Sequence, residues 1–123
     1  MIDFVTIGKL QNPHTAALAV DYLERISRFA KCRHRPLRPS RLRDENRNGP
    51  AIMEEEGERI LEALEGNAWC VLLDREGKSM DSRAFSRLLE SRAAGPGKFD
   101  TAFVVGGFLG TAQAVRDRAD VIL

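Results

Sequence analysis

Two short stretches, "AWCVLLD" (Ala68–Asp74) and "DTAFVVGG" (Asp100–Gly107), are apolar at almost every interior position. Successive side chains of a strand point to opposite faces, so a strand with one wet face alternates apolar and polar residues. These stretches do not alternate. They have to be covered on both faces, which is the situation of interior strands in a parallel sheet. Parallel strands in turn need crossover connections, most often helices.

The remaining chain supplies those connections. "IDFVTIG" (Ile2–Gly8) reads as a first strand. A helix over His14–Phe29 follows, with Leu18, Ala19, Tyr22, Leu23, Ile26 and Phe29 on one face and Asn12-Pro13 as its entry. "CRHRPL" (Cys32–Leu37) reads as a strand whose basic residues suit a sheet edge. Residues 38–50, "RPSRLRDENRNGP", lack apolar periodicity and end in Asn-Gly-Pro, so a loop is expected there. A second helix is expected over Ala51–Leu64, with Met53, Gly57, Ile60, Leu61 and Leu64 inward and the glutamates outward. "DSRAFSRLLESRA" (Asp81–Ala93) reads as a third helix capped by Asp81 or Ser79, and "TAQAVRDRAD" (Thr111–Asp120) as a short fourth. "VIL" (Val121–Leu123) begins another strand. The expected fold is α/β: a mostly parallel sheet with helices on both faces, one domain over residues 1–123.

Hydrophobic residues at 43% and charged residues at 30% suit a soluble globular domain. The start "MIDFVTIGKL" lacks a basic leader, and there is no apolar run of 18 residues. The expectation is a cytoplasmic chain without membrane association, in which Cys32 and Cys70 are reduced thiols.

A net charge of +1 conceals an asymmetry. Nine basic residues lie between Arg25 and Arg47 against Asp44 and Glu45. Six glutamates between Glu54 and Glu65 then face only Arg59. Arginine provides 15 of the 19 basic residues. Its planar fork suits phosphate, so RNA is one partner the pattern fits, and a solvated, self-balancing surface is the other reading.

The turn "FVVGGFLG" (Phe103–Gly110) carries the most chemistry. A nucleotide-binding P-loop requires a lysine after its glycines, and none follows. A dinucleotide fingerprint requires G-x-G-x-x-G early in the chain with an acid further on; here the spacing is G-G-x-x-G near residue 110. What remains is a strand-end turn that either approaches a ligand or simply turns. Cys32 and His34 alternate on a strand with an arginine between them and do not converge, so no metal is expected. Asp74 ends a strand, where functional residues often sit, but capping of the "DREGK" turn is the favoured role.

In combination, "LLDREGKSMDSRAF" (Leu72–Phe85), "FVVGGFLG", "IGKL" (Ile7–Leu10) and "EEGERIL" (Glu55–Leu61) resemble the RlmH-type large-subunit rRNA methyltransferases of the SPOUT superfamily, over the whole chain. The resemblance implies S-adenosylmethionine as cofactor, N3 of a pseudouridine in 23S rRNA of the assembled ribosome as target, and a homodimer with a knotted cofactor site. It places Leu73 beside the adenosine, Gly106 and Gly107 as the cofactor-lining glycine pair, and Gly110 as the glycine that follows. Arg33, Arg35, Arg38, Arg41 and Arg43 are implied, more loosely, to seat the rRNA. Phe108-Leu109 departs from the small residue or proline usual after the pair. In the family a strand like "VIL" runs into a cofactor loop, a Pro-His motif and a final helix that close the knot. These are not in the sequence, so no residue is assigned the catalytic role and the chain is expected to be inactive as it stands. The apolar surface they would cover is expected to need rearrangement or another chain.

Overall fold

The computed structural model describes residues 1–42, 45–64, 66, 68–95 and 100–123. The elements run β1 (Ile2–Ile7), α1 (Pro13–Ser27), β2 (Cys32–Leu37), α2 (Glu45–Ala63), β3 (Trp69–Leu73), α3 (Ser82–Ala94), β4 (Thr101–Val105), α4 (Gln113–Arg118) and β5 (Val121–Ile122). The five strands form one sheet in the order β2-β1-β4-β3-β5. Every strand pair is parallel. The two unbroken apolar runs are β3 and β4, side by side in the interior. The basic "CRHRPL" is at one edge, as its charge requires.

The registers Val5↔Val104↔Leu72↔Ile122 and Phe4↔Phe103↔Val71↔Val121 separate the two faces. On the first, Val5, Cys70, Leu72, Ala102 and Val104 form a closed core with Ile60 and Ala63 of α2, Leu64 just after it, and Val115 of α4. On the second, the Phe4 ring stacks on Phe103 at 5.4 Å and Phe85 of α3 meets Phe103 edge-on at 6.1 Å. Here α1 and α3 bury no residue fully. A hollow of about 680 Å³ opens between them over Phe4, Phe85 and Phe103. Phe29 beyond α1 is 90% exposed.

The expected caps are in place. Asn12 Oδ1 accepts from the His14 and Thr15 amides at 2.9 and 3.3 Å, and Asp81 Oδ1 from Ala84 at 2.7 Å. Ser79 is not the cap.

Two readings of the second helix are corrected. The loop assigned to residues 38–50 ends earlier, because α2 begins at Glu45 and carries Pro50 inside it. Pro50 lies in the second turn and costs the helix one main-chain bond, while the buried Ile52 just after it packs this end of the helix against the body. The glutamates are not all outward: Glu56 is 7% exposed. It belongs to the stripe Ile52, Glu56, Ile60, Ala63, whose spacings of three and four residues define one helical face.

Candidate functional site

In open α/β sheets the carboxyl ends of the strands, where the strand order reverses, form the natural crevice. Here β3 and β4 end side by side at Leu73 and Val105, paired in register. Both are left about 40% exposed, 41% for Leu73 and 43% for Val105, although apolar. A hollow of about 320 Å³ lies over them. Leu73, Gly106, Gly107 and Gly110 all line it, with Asp74, Thr111 and Arg116 around the rim. The four residues singled out from the sequence are thus brought together.

The turn is shaped by its own packing. A Cβ on Gly106 would collide with Thr111 Oγ1, and one on Gly107 with Glu56 Oε1. Gly110 adopts φ +104°, the left-handed region that favours glycine, and its amide donates to the Gly107 carbonyl at 3.0 Å. Thr111 and Glu56 thus press the tips of their side chains against the bare faces of the glycine pair. The half-exposed Leu73 and Val105 and the main chain of the turn still present an apolar floor with polar edges, which fits a nucleoside.

Asp74 caps its turn, as favoured: Oδ1 accepts from the Glu76 amide at 2.8 Å. Its other oxygen, Oδ2, accepts from Arg116 Nη1 at 2.8 Å. Both carboxylate oxygens are committed, so Asp74 is a structural anion that fixes α4 to the β3 turn.

The arginines divide. Arg33 grips Asp3 through Nε and Nη2, and Arg35 donates to the Ala63 carbonyl at 2.9 Å with Asp3 at 3.8 Å. Those two share the α2 face of the edge strand, and part of their charge is spent inside the protein. Arg38 and Arg41 are exposed just beyond β2, whereas Arg43 lies outside the described residues. His34 Nε2 is 2.8 Å from Thr6 Oγ1. Among the described residues no three His, Cys, Asp or Glu side chains converge on a metal position, and no helix is long and apolar enough to cross a membrane. Cys70 is fully buried, and desolvation pushes its thiol above the ordinary value, with Asp120 adding to the rise and Arg118 opposing it.

A feature missed in the sequence adjoins this site. Glu56 Oε2 accepts from the Ser40 amide at 3.0 Å, and Ser40 Oγ donates to Glu55 Oε2 at 2.7 Å. The Ser40 hydrogen bond, with Arg59 assisting, holds the Glu55 carboxyl below its ordinary range. These contacts tie the segment after β2 to α2. They enclose a second hollow of about 410 Å³ that shares Gly106, Gly107 and Phe108 with the first. The helical spacing of Glu56 with Ile52 and Ile60 was the signal that placed it inward.

An all-parallel sheet of this order, with a glycine turn at the adjacent ends of β3 and β4, is an open α/β scaffold with its crevice at those strand ends. The match agrees: residues 1–123 fit the family model described as "Predicted SPOUT methyltransferase", and the chain belongs to that family. It is 31% identical to ribosomal RNA large subunit methyltransferase H of Streptococcus mutans, over 99% of this chain and 77% of that protein. Identity is 33% to the protein of the same name from Leuconostoc mesenteroides, over 98% and 76%. It is 34% to that from Streptococcus pneumoniae, over 98% and 76%.

Proposed function

We propose that this chain acts as a single domain over residues 1–123 and binds S-adenosylmethionine at the ends of β3 and β4. The reaction it belongs to is methylation of large-subunit rRNA, at N3 of a pseudouridine in 23S rRNA of the assembled ribosome, in the cytoplasm, with the chain as it stands supplying the cofactor site and not the catalytic group. The observation that carries the reading is the convergence of Leu73, Gly106, Gly107 and Gly110 on one hollow in a SPOUT family chain. Bound there, the cofactor would supply an electrophilic methyl group. The protein's part is placement: Leu73 and Val105 provide an apolar floor, the turn offers main-chain groups at its edge, and the Asp74–Arg116 pair holds α4 in position. Arg38, Arg41 and Arg43 supply phosphate contacts that seat RNA without reading its sequence, assisted by the partly committed Arg33 and Arg35.

Isothermal titration of S-adenosylmethionine into the 123-residue chain tests this reading. Micromolar binding is expected; absence of binding by a sample with an intact far-ultraviolet spectrum overturns it.

The reading includes a homodimer, supported by the open aromatic hollow between α1 and α3 and by the exposure of Tyr22, Leu18 and Phe29. Light scattering coupled to size exclusion is expected to return twice the 13.7 kDa chain mass. A monomer at every concentration tried would remove the dimer from the proposal.

A further inference from the structure

Glu56 presents an unusual electrostatic situation. It is 7% exposed, and among the described residues its one hydrogen bond is from the Ser40 amide to Oε2. Oε1 lies against Gly107, so closely that a Cβ there would push the carboxyl group aside. A buried carboxylate is ordinarily paired with a cation or satisfied by several donors. Among the described residues the hollow beside it is walled by Ile7, Pro39, Leu42, Ile52 and Phe108, with Ser40 as its other polar side chain and no basic one. The nearest arginine bonded on α2, Arg59, is directed to Glu55 and to the Arg38 carbonyl. Glu56 therefore presents a carboxyl oxygen, Oε1, at an apolar wall, with no donor to it among the described residues.

The position of that oxygen suggests its complement. The Leu73 hollow and the Glu56 hollow meet at Gly106, Gly107 and Phe108. A ligand with a nucleoside at one end and a short aminoacyl arm at the other would lie across the glycine pair, one end in each. We propose that Glu56 is the anchor for the α-ammonium group of the bound cofactor, accepting its hydrogen bond through Oε1. Of the two cationic centres of S-adenosylmethionine, the sulfonium has no hydrogen to donate, so only the ammonium satisfies both the charge and the lone pair. Glu56 is then a positioning residue: by fixing the arm it sets where the sulfur stands. The inference rests on the reading that the Leu73 hollow takes the adenosine.

The test is a binding comparison that needs no turnover. On the unaltered chain, S-adenosylhomocysteine and its desamino analogue, which lacks only that nitrogen, are titrated by calorimetry alongside 5′-methylthioadenosine, which lacks the whole arm. Loss of the amino group is expected to weaken binding by about tenfold or more, the range of a charge-assisted hydrogen bond. Glu56→Gln keeps an acceptor for Ser40. It is expected to weaken S-adenosylhomocysteine by a similar factor, to leave methylthioadenosine within about twofold, and to erase the preference for the amino group. Equal affinity of the unaltered chain for the amino and desamino ligands overturns the proposal while leaving the adenosine site intact. So does a Glu56→Gln variant that weakens all three ligands alike, since that marks a purely structural role. Failure of the unaltered chain to bind any of the three overturns the adenosine site itself, and the Glu56 assignment with it.

Discussion

Replacing Gly77 by alanine is expected to lower stability by about 3 kcal/mol, at the upper end of what overpacking costs. A Cβ at this position would run into the main chain of Leu123, not into a movable side chain. Main-chain hydrogen bonds hold both sides of the contact. The Leu123 amide donates to Leu72 at 2.9 Å and its carbonyl accepts from Asp74 at 2.7 Å, while the Lys78 amide donates to Ile122 at 3.0 Å. The segment Ile122–Leu123 is thus clasped between β3 and the Asp74–Lys78 turn. The turn also depends on its own bonds, Gly77 to the Asp74 carbonyl at 2.9 Å and Glu76 to the Asp74 carboxylate. Relief of the clash requires one of these sets to break. Chemical denaturation should show the loss as a lower midpoint at unchanged slope, and a variant as stable as the parent would show that Gly77 is not required to be bare.

The second large effect is expected at Gly57. A Cβ there would stand 2.8 Å from the Ala112 Cβ and 3.5 Å from Val115. Here α2 packs directly against the start of α4. Alanine would gain up to about 1 kcal/mol of helix propensity and lose more to the contact. Leucine cannot be placed without moving α4, and a net loss of about 3 kcal/mol is expected for Gly57→Leu. Because α4 follows directly on Gly110 and Thr111, the displacement should reach the ligand turn. Residual folded Gly57→Leu protein is therefore expected to bind S-adenosylmethionine at least about tenfold more weakly than the parent. Unchanged affinity together with unchanged stability would mean that α4 is not seated by α2.

How far the sequence disclosed this arrangement depended on whether the controlling interaction was local. The interior strands were legible because burial on both faces leaves an unbroken apolar run. The caps at Asn12 and Asp81 were legible because they bond within three residues of themselves. The four residues around the glycine turn were found by resemblance to a family, and the fold does gather them. Residues 45–50 are helical although they lack apolar periodicity and end in Asn-Gly-Pro, because Pro50 costs the helix a single bond and the packing of Ile52 outweighs it. Charge by itself predicts an outward Glu56, which is buried. Helical phase decided it instead, together with a partner sixteen residues away, Ser40, that no local pattern reveals. The arginines were overcounted as free charge, since Asp3 on the neighbouring strand answers both Arg33 and Arg35.

The position of β4 has a consequence for how the chain assembles. β1 pairs only with β2 and β4, and β3 only with β4 and β5. Until residues 101–105 arrive, the earlier strands exist as two separate pieces, each with an unpaired inner edge. Neither can close a sheet alone. A nascent chain emerging from the ribosome therefore carries open, strongly apolar strand edges through most of its synthesis, and its order is conferred late, by one central insertion that joins distant parts of the sequence. Such a topology places the protein among slow, aggregation-exposed folders, dependent on shielding until its keystone strand is in place.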